Sequence, residues 1–435
     1  MKTKHLSLIF IPLLAYLSTS LTSQAVTPSP DGDYPGGNTA EGQSALLSLT
    51  TGTYNTAVGW FSLQSNLTGN LNTAIGAGTL LSNTADNNTA TGAGALLNNT
   101  TGENNTASGV FALFDNTTGG SNTATGFGAL GNNTSGSSNT ANGANALLNN
   151  TTGANNTAVG NGTLSNNTNA FGNTAIGFQV LLNSTTGGSN TGVGAEALLH
   201  NATGGSNTAI GGAALLFNTT GDSNTAIGGG ALGSNTTGSE NVALGGGAGS
   251  NVTTGSNIIC IGSPGGNVNN SCFIGNIRGV ATHNAEAIPV VIDSAGQLGT
   301  MSSSKRFKKE IKAMDKASEA ILALKPVTFH YKSDARATPQ FGLIAEEVAQ
   351  VNSDLVVRDS DGEIYTVRYD AVNAMLLNEF LKEHGTVKVQ GATIAELKKE
   401  IVSLAETVKE QAAQIQKVSA QLEASKPSPQ VVSNQ

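Results

Sequence analysis

The sequence predicts a mainly β protein, in which a β-solenoid array of the β-roll type precedes a small α+β domain and a C-terminal coiled coil. The motif Asn-Thr-Ala-x-Gly returns at a 17-residue step, with one step of 16 residues. A leucine follows each motif asparagine by eight residues, so the asparagine and the leucine repeat with the same spacing along the array. Stacked coils require such a constant spacing. The motif asparagines are Asn38, Asn55, Asn72, Asn88, Asn105, Asn122, Asn139, Asn156, Asn173, Asn190, Asn207 and Asn224.

The first 25 residues have the features of an export signal. Lys2 and Lys4 precede an apolar run, and Ser23-Gln24-Ala25 offers small residues for cleavage. We therefore expect a signal peptide at 1–25, a mature chain that starts near Val26, and a linker at 26–37. No later stretch is long and apolar enough to span a membrane, so an extracellular or cell-surface location is expected.

Each repeat of the array, at 38–275, consists of a short strand, a small apolar segment and a polar turn. In the repeat Asn173–Gly177, period-2 alternation places Thr174 and Ile176 on one face of the strand and Ala175 on the other. Ordering a residue costs about 1 to 2 kcal/mol of backbone entropy, and one coil buries too little apolar area to offset this cost. Stability must therefore come from stacked neighbours, and we expect a thin, oligomeric solenoid. The competing interpretation is a disordered low-complexity tract, against which the strict phase of the leucines argues.

Composition excludes several functions for the array. There is no Lys or Arg between Lys4 and Arg278, and the formal net charge is −8, so a nucleic-acid surface is excluded. The glycine pattern at 126–131 matches a dinucleotide fingerprint but opens no βαβ unit. We expect no cofactor and no metal, because the histidines are isolated and show no ligand spacing. They are His5, His200, His283, His330 and His384.

Two further pairs of side chains leave alternatives open. Asp86 and Glu103 each precede a motif asparagine by two residues, so stacking brings them to adjacent coils. They are interpreted as solvated turn residues, with a glycosidase-like carboxylate pair as the alternative. The only cysteines are Cys260 and Cys272, which an oxidising compartment would allow to pair. However, the last two short coils align Cys260 with Phe273, so free thiols remain the alternative.

The C-terminal part is predicted in four pieces. A connector at 276–301 contains the strand Ile288–Asp293, and an α+β domain follows at 302–388. A coiled coil at 389–424 and a disordered tail at 425–435 complete the chain. The α+β domain is predicted to contain helices at Asp315–Leu324 and Ile344–Val351 and strands at Val327–Lys332 and Ile364–Tyr369. The coiled coil is indicated by apolar residues at 3-4 spacing. They are Ile394, Leu397, Ile401, Leu404, Val408, Ile415, Val418 and Leu422.

The segment Ser302–Ile311 carries the candidate chemistry, with Ser303 five residues before Lys308. Serine becomes a useful nucleophile when a base takes its proton, and lysine is such a base only when its pKa falls far below about 10.4. Burial and neighbouring cations both lower a lysine pKa. Ser304 and Lys309 repeat the spacing one residue later and are ranked second.

This segment resembles the start of the self-cleaving intramolecular chaperone domain of phage endosialidases and tailspikes. That family's motif runs Ser-Asp-x-Arg-x-Lys and then a hydrophobic residue, and Ser303, Arg306, Lys308 and Ile311 take its positions, whereas Ser304 replaces its Asp. The resemblance continues through Ala323–Val327, Phe341–Val348 and the coiled coil. It implies that Ser303 attacks the carbonyl of Ser302 and that Lys308 is the base. The repeats in turn resemble the heads of trimeric autotransporter adhesins, and both resemblances imply a homotrimer.

The expected function is a secreted or surface trimeric fibre, adhesin-like, whose C-terminal chaperone drives assembly and then removes itself as an intramolecular serine endopeptidase. A cell-surface or glycan ligand is a possible further partner, and nucleic acid is not. Two alternatives remain: a phage-type tail fibre or tailspike, and a fibre that retains an inactive peptidase domain as a trimerisation clamp.

Overall fold

The computed structural model of the chain describes residues 34–283 and 286–426. The chain divides into two compact units, Met1–Ala281 and Thr282–Gln435. The predicted signal peptide at 1–25, most of the predicted linker and nearly all of the predicted tail lie outside the described residues. The domain boundaries given above stay predictions.

The first unit is a parallel β-solenoid with one short strand in each coil. Its 15 strands form one sheet, in which each strand pairs in parallel with the next along the chain. The predicted fold class, mainly β with a solenoid, is thereby confirmed. The strands are β1 (Thr39–Glu41), β2 (Thr56–Val58), β3 (Thr73–Ile75), β4 (Thr89–Thr91), β5 (Thr106–Ser108), β6 (Thr123–Thr125), β7 (Thr140–Asn142), β8 (Thr157–Val159), β9 (Thr174–Ile176), β10 (Thr191–Val193), β11 (Thr208–Ile210), β12 (Thr225–Ile227), β13 (Val242–Leu244), β14 (Ile258–Ile261) and β15 (Ser271–Ile274).

The two faces of each strand differ as the alternation predicts. In β9, Ala175 is fully buried, whereas Ile176 is 42% exposed. Ala175 lies beside Ala158 of the preceding strand, and this alanine-to-alanine register recurs along most of the sheet. The core of the coil is therefore very thin, because alanine fills its strand side and the phased leucine fills the opposite side. The interior is filled because equivalent small side chains of successive coils pack on one another, and not because the side chains are large.

Two asparagine ladders run through this core, and the coil at 122–138 shows their geometry. The backbone N–H of Asn122 donates to Oδ1 of Asn105 in the preceding coil over 3.0 Å, and Nδ2 of Asn122 approaches the same oxygen at 3.2 Å. Asn133 donates from Nδ2 to Oδ1 of Asn116 over 2.7 Å. Both amides also donate to the carbonyl of Gly136, each over 2.9 Å. All four asparagines are buried, and hydrogen bonds within the coil and to the adjacent coil satisfy the amides of Asn122 and Asn133.

The turns of the coil depend on positive φ at two kinds of residue. Gly126 has a φ of 128°, and a Cβ there would lie 2.7 Å from the backbone of Gly143 in the next coil. Only glycine fits so close an approach. Less expected is Leu130, a buried leucine with a φ of 52°, and the other phased leucines share this left-handed conformation. Its strain is offset because Leu130 is the largest fully buried side chain of the coil.

The array ends in a change of core chemistry. Ile258 takes the place of the motif asparagine and Val252 that of the second ladder asparagine, and both are fully buried. β14 pairs with β15 so that Cys260 lies beside Phe273, as the alignment of the last coils predicts. Both cysteines are free, Cys260 buried and Cys272 exposed. The disulfide alternative is therefore absent from this single chain.

The second unit has a small mixed core. Its buried apolar residues are Val348, Leu355, Val356, Val367 and Met375. Its strands form three antiparallel pairs, β16 (Val291–Ile292) with β17 (Leu298–Gly299), β18 (Val327–Phe329) with β19 (Gln340–Gly342), and β20 (Val356–Arg358) with β21 (Ile364–Val367). Its helices are the 3₁₀ helices Lys305–Phe307, Asp315–Ala323 and Ser353–Leu355 and the α-helices Ala345–Val351 and Tyr369–Ala424.

Several of these elements differ from the sequence prediction in extent. The strand expected at Val327–Lys332 ends at Phe329, the strand expected at Ile364–Tyr369 ends at Val367, and the helix expected at Ile344–Val351 begins at Ala345. The strand expected at Ile288–Asp293 is only Val291–Ile292, because its hairpin partner offers two residues and Pro289 lacks an amide hydrogen. The helix expected at Asp315–Leu324 is of the 3₁₀ type and ends at Ala323. The helix of the predicted coiled coil begins at Tyr369, well before 389, because its first turns pack on the core of the domain.

An interruption of the second asparagine ladder leads to a stability prediction. Asn167 is followed at the next coil by Ser184, and its buried Oδ1 has no hydrogen-bond partner. Asparagine at 184 would donate to that oxygen and accept from Asn201. Because an unsatisfied buried polar group costs about 1–3 kcal/mol, we expect Ser184→Asn to raise the free energy of unfolding by about that amount. Denaturant unfolding followed by far-UV circular dichroism measures it.

The matched control is Ser184→Ala, which supplies no amide donor and should not raise the free energy of unfolding. An unchanged or lowered midpoint for Ser184→Asn would show that the ladder contributes nothing to stability at this coil.

Candidate self-processing site

The candidate site occupies an exposed segment around one tight turn. The 3₁₀ helix Lys305–Phe307 forms this turn, in which the N–H of Phe307 donates to the carbonyl of Ser304 and the N–H of Lys308 to that of Lys305, both over 3.1 Å. Lys308 leaves the turn in extended conformation, with a φ of −118°. Ser303 and Lys308 therefore flank the same turn.

In the single chain the two predicted catalytic residues are not joined. Among residues 286–426, no hydrogen bond links Ser303 to Lys308, nor Ser304 to Lys309, and all four side chains are exposed. The N–H of Ser304 approaches the hydroxyl of Ser302 at 3.3 Å. The residues of the predicted serine–lysine dyad are thus not assembled in the single chain.

Positive charge is dense around this turn. Lys305, Arg306, Lys309 and Lys312 lie within a few residues of Lys308, with Glu310 as the only acid in the same stretch. Arg306 stacks over the ring of Phe307, with its guanidinium carbon 4.7 Å from the ring centre. Neighbouring cations disfavour a protonated lysine, but solvent screens them as long as the segment is exposed. Burial by another surface would remove that screening.

A polar cluster around the buried Ser318 lies elsewhere in the same unit and joins the second 3₁₀ helix to the C-terminal helix. Ser318 is fully buried. Its hydroxyl accepts a hydrogen bond from Asn378 over 2.7 Å and contacts the carboxylate of Glu379. Lys382 forms an ion pair with Glu379 at 2.7 Å and approaches the Ser318 hydroxyl at 3.4 Å. We call these four residues the Ser318 cluster.

The electrostatics of the Ser318 cluster make it structural. The hydrogen bond that Lys382 donates to Glu379 raises the pKa of Lys382 and so favours its protonated form, although this lysine lies close to a serine. Conversely, the hydrogen bonds from Lys382 and Ser318 lower the pKa of Glu379. Sequence reasoning missed this cluster because Ser318 lies 60 residues before Asn378, and no local pattern links the two.

One member of the carboxylate pair on the solenoid, Asp86, is hydrogen-bonded to the adjacent coil. Asp86 accepts from the N–H of Asn70 in the preceding coil over 2.7 Å. Asp222, at the equivalent turn, accepts from the N–H of Gly205 over 2.7 Å. These acids therefore satisfy backbone groups of the adjacent coil, which agrees with the interpretation of Asp86 as a turn residue.

Comparison with known families gives one match. Residues 303–357 match the family Peptidase_S74, described as the chaperone of endosialidase. The matched segment starts at Ser303 and includes Lys308. It supports the predicted chaperone domain, and a β-solenoid followed by this domain fits a tailspike-like or fibre-like protein. No curated protein and no solved structure matches the chain. The resemblance of the repeats to adhesin heads stays a prediction.

Two searches of the described residues gave no candidates. Across 34–283 and 286–426, no group of three His, Cys, Asp or Glu side chains is placed to hold a metal ion. No helix in the same ranges is both long and apolar enough to cross a membrane.

The Ser318 cluster leads to a pH prediction. Because the pKa of Glu379 is lower in the folded state than its usual value of about 4.3, its stabilising effect is present above that value and is lost as pH falls through the folded pKa. We expect Glu379→Gln to lower the melting temperature of the second unit at pH 7. The difference in melting temperature from wild type should shrink below about pH 4. Circular dichroism at 222 nm measures both.

Glu396→Gln is the control, since Glu396 forms only an exposed ion pair with Lys399 at 3.6 Å. A pH-independent difference between wild type and Glu379→Gln, or an equal effect at Glu396, would exclude the proposed role of the Ser318 cluster.

Proposed function

We propose that this protein is a secreted or surface trimeric fibre whose C-terminal domain assembles three chains and then cleaves itself off between Ser302 and Ser303. The observation that carries the proposal is the match to the chaperone of endosialidase, which begins at Ser303 itself. The solenoid is the product to be assembled, and the domain that follows it is the temporary clamp.

The exposed apolar surface of the second unit supports assembly with further copies. Phe341 is 81% exposed, Leu322 74% and Tyr365 73%, although the core beneath contains only five buried apolar residues. An apolar groove between Phe341 and Leu376 adjoins that core. Soluble single chains seldom leave so much apolar surface open, so we infer that other chains cover it.

The C-terminal helix supports the same conclusion. It is continuous from Tyr369 to Ala424, and its heptad residues point to solvent in one chain. Ile394 is 53% exposed, Ile401 66% and Leu404 68%. Such a stripe becomes stable when it packs against equivalent stripes of parallel helices. A coiled coil of this kind aligns the copies in register at one end.

Assembly would also activate the dyad. Burial of the turn by neighbouring chains would remove solvent screening, and burial and neighbouring cations both favour the neutral form of a lysine. Neutral Lys308 then takes the proton of the Ser303 hydroxyl as Oγ attacks the carbonyl carbon of Ser302. The C–N bond breaks, the Ser303 nitrogen receives the proton, and an ester remains. Water hydrolyses the ester to the Ser302 carboxylate and restores the Ser303 hydroxyl on the released piece.

The physical purpose of such a domain follows from the solenoid. Each strand pairs with residues 13 to 17 positions away, and the growing end of the sheet is an open edge until the next coil stacks on it. A clamp that holds copies together favours the correct register early. Once the clamp is removed, unfolding no longer follows the reverse of the assembly route. The fibre then persists because its barrier to unfolding is high.

The dyad is tested on a denaturing gel. We expect wild type to give two fragments that meet between Ser302 and Ser303, and Ser303→Ala and Lys308→Ala to give one uncut band each. Ser304→Ala and Lys309→Ala are matched controls in the same turn and should still be cut. If only Ser304→Ala and Lys309→Ala lose cleavage, the dyad consists of Ser304 and Lys309 instead.

The trimer is tested separately, by sedimentation of the uncut Ser303→Ala protein. Three chains support the assembly role whether or not wild type is cut. An uncut wild type that is trimeric would support the second alternative, a fibre that retains its clamp. A monomer would overturn the proposal.

Location is tested by the N-terminus of the mature protein. The predicted signal peptide leads us to expect Val26 as the first residue of protein recovered from outside the cell, by N-terminal sequencing. An intact Met1 on the assembled fibre would instead favour a phage-type tail fibre, because phage fibres assemble in the cytoplasm.

A further inference from the structure

One face of the solenoid sheet is uncharged along nearly its whole length. This outward face consists of the first and third residues of β2–β13 and of the residues in register with them in β14 and β15. It contains no Lys, Arg, Asp or Glu from Thr56 to Ile274. Glu41 in β1 is the one acid at a sheet-face position among the described strands of the array, and from Thr56 onward the acids lie at other positions of the coil, as Glu103, Asp115 and Glu240 show. We call this surface the sheet face.

The C-terminal half of the sheet face is apolar. At the third strand position an aliphatic residue occurs in every coil from Val159 to Ile274, whereas Ser108, Thr125 and Asn142 occupy that position in earlier coils. Eight strands at about 4.8 Å give a continuous stripe about 34 Å long. These side chains are open to solvent: Ile176 is 42% exposed, Ile210 41%, Ile227 40%, Leu244 48%, Ile261 40% and Ile274 42%.

The absence of charge indicates what covers this face. When identical chains pack in parallel and in register around an axis, each residue meets its own copy at the same height. A charged residue on the packed face would therefore meet a like charge at close range, which costs several kcal/mol. A face without charges over fourteen consecutive strands meets this condition, whereas a different partner protein would not require it. The helix Tyr369–Ala424, with its exposed heptad residues, would set the same parallel register.

We propose that copies of this chain pack sheet face against sheet face, in parallel and in register, with the stripe from Val159 to Ile274 at the centre and Cys272 at its end. The number of copies, three, rests on the proposed function. The thin alanine core of each coil is then backed by a second, intermolecular apolar core.

The two cysteines provide a built-in probe of this arrangement. Cys272 is exposed and lies in register with Ile259 on the sheet face. Cys260 is fully buried inside the coil, on the opposite side of its strand. In register, the Cys272 thiols of neighbouring chains come together, and a mild oxidant such as diamide takes two electrons and two protons from a pair of thiols to form a disulfide.

The experiment treats the full-length Ser303→Ala protein with diamide, or with a short bis-maleimide, and separates the chains on a non-reducing denaturing gel. We expect a covalent dimer that disappears in Cys272→Ser and persists in Cys260→Ser. In the Cys272→Ser background, Ile227→Cys should restore the dimer. Thr237→Cys is the matched control, since Thr237 is an exposed residue of the same coil outside the sheet face.

The outcomes separate this inference from the proposed function. A trimer in sedimentation that cross-links through Thr237→Cys, or through none of these cysteines, overturns the sheet-face interface and leaves the trimer standing. A monomer overturns the proposed function. A trimer that cross-links through Cys272 and Ile227→Cys, but not through Thr237→Cys, supports both.

Discussion

The buried asparagine ladders are the interaction on which the solenoid depends. The Oδ1 of Asn105 has two donors in Asn122, one from the backbone and one from the side chain. The carbonyl of Gly136 has two donors from its own coil, Asn122 and Asn133. A shift of one residue between coils would leave inter-coil acceptors such as the Oδ1 of Asn105 buried and unpaired, at about 1–3 kcal/mol each. The ladders therefore define the register that a thin alanine core alone would specify poorly.

The same constraint explains how the array ends. The Oδ1 of each ladder asparagine needs a hydrogen-bond donor in the next coil. The last asparagine of a ladder has no asparagine in the next coil to supply it. Asn241 is satisfied by the backbone N–H of Ile258, over 2.9 Å, after which an apolar side chain replaces the asparagine. In the second ladder Val252 follows Asn235, and there the buried Oδ1 is left without a partner. The change from amide to apolar side chains closes the first ladder and leaves the second with one open oxygen.

The strict repeat explains why so much of this fold could be predicted. Thr174, Ala175 and Ile176 alternate in one coil as they do in every other, so period and faces are visible without long-range information. The left-handed conformation of Leu130 could not be predicted, because local propensity disfavours it and only the packing of the finished coil offsets the strain. The Ser318 cluster was hidden for a related reason, since its partners meet only through tertiary packing. The residues of the proposed dyad were visible as a motif, but no hydrogen bond joins them within one chain.

The ladders also bear on why assembly would need a helper. The first coil to form pays the backbone entropy of its 16 or 17 residues and leaves its asparagines without donors above or below, so the nucleus is costly. Each later coil adds to an existing template and satisfies the rung before it. Tethering several chains raises their effective concentration and lets apolar faces of neighbouring chains contribute to the nucleus. After stacking, unfolding must open satisfied rungs at an end, a step that the tether does not assist. A tether that acts early and is then lost would speed assembly and leave this barrier to unfolding unchanged.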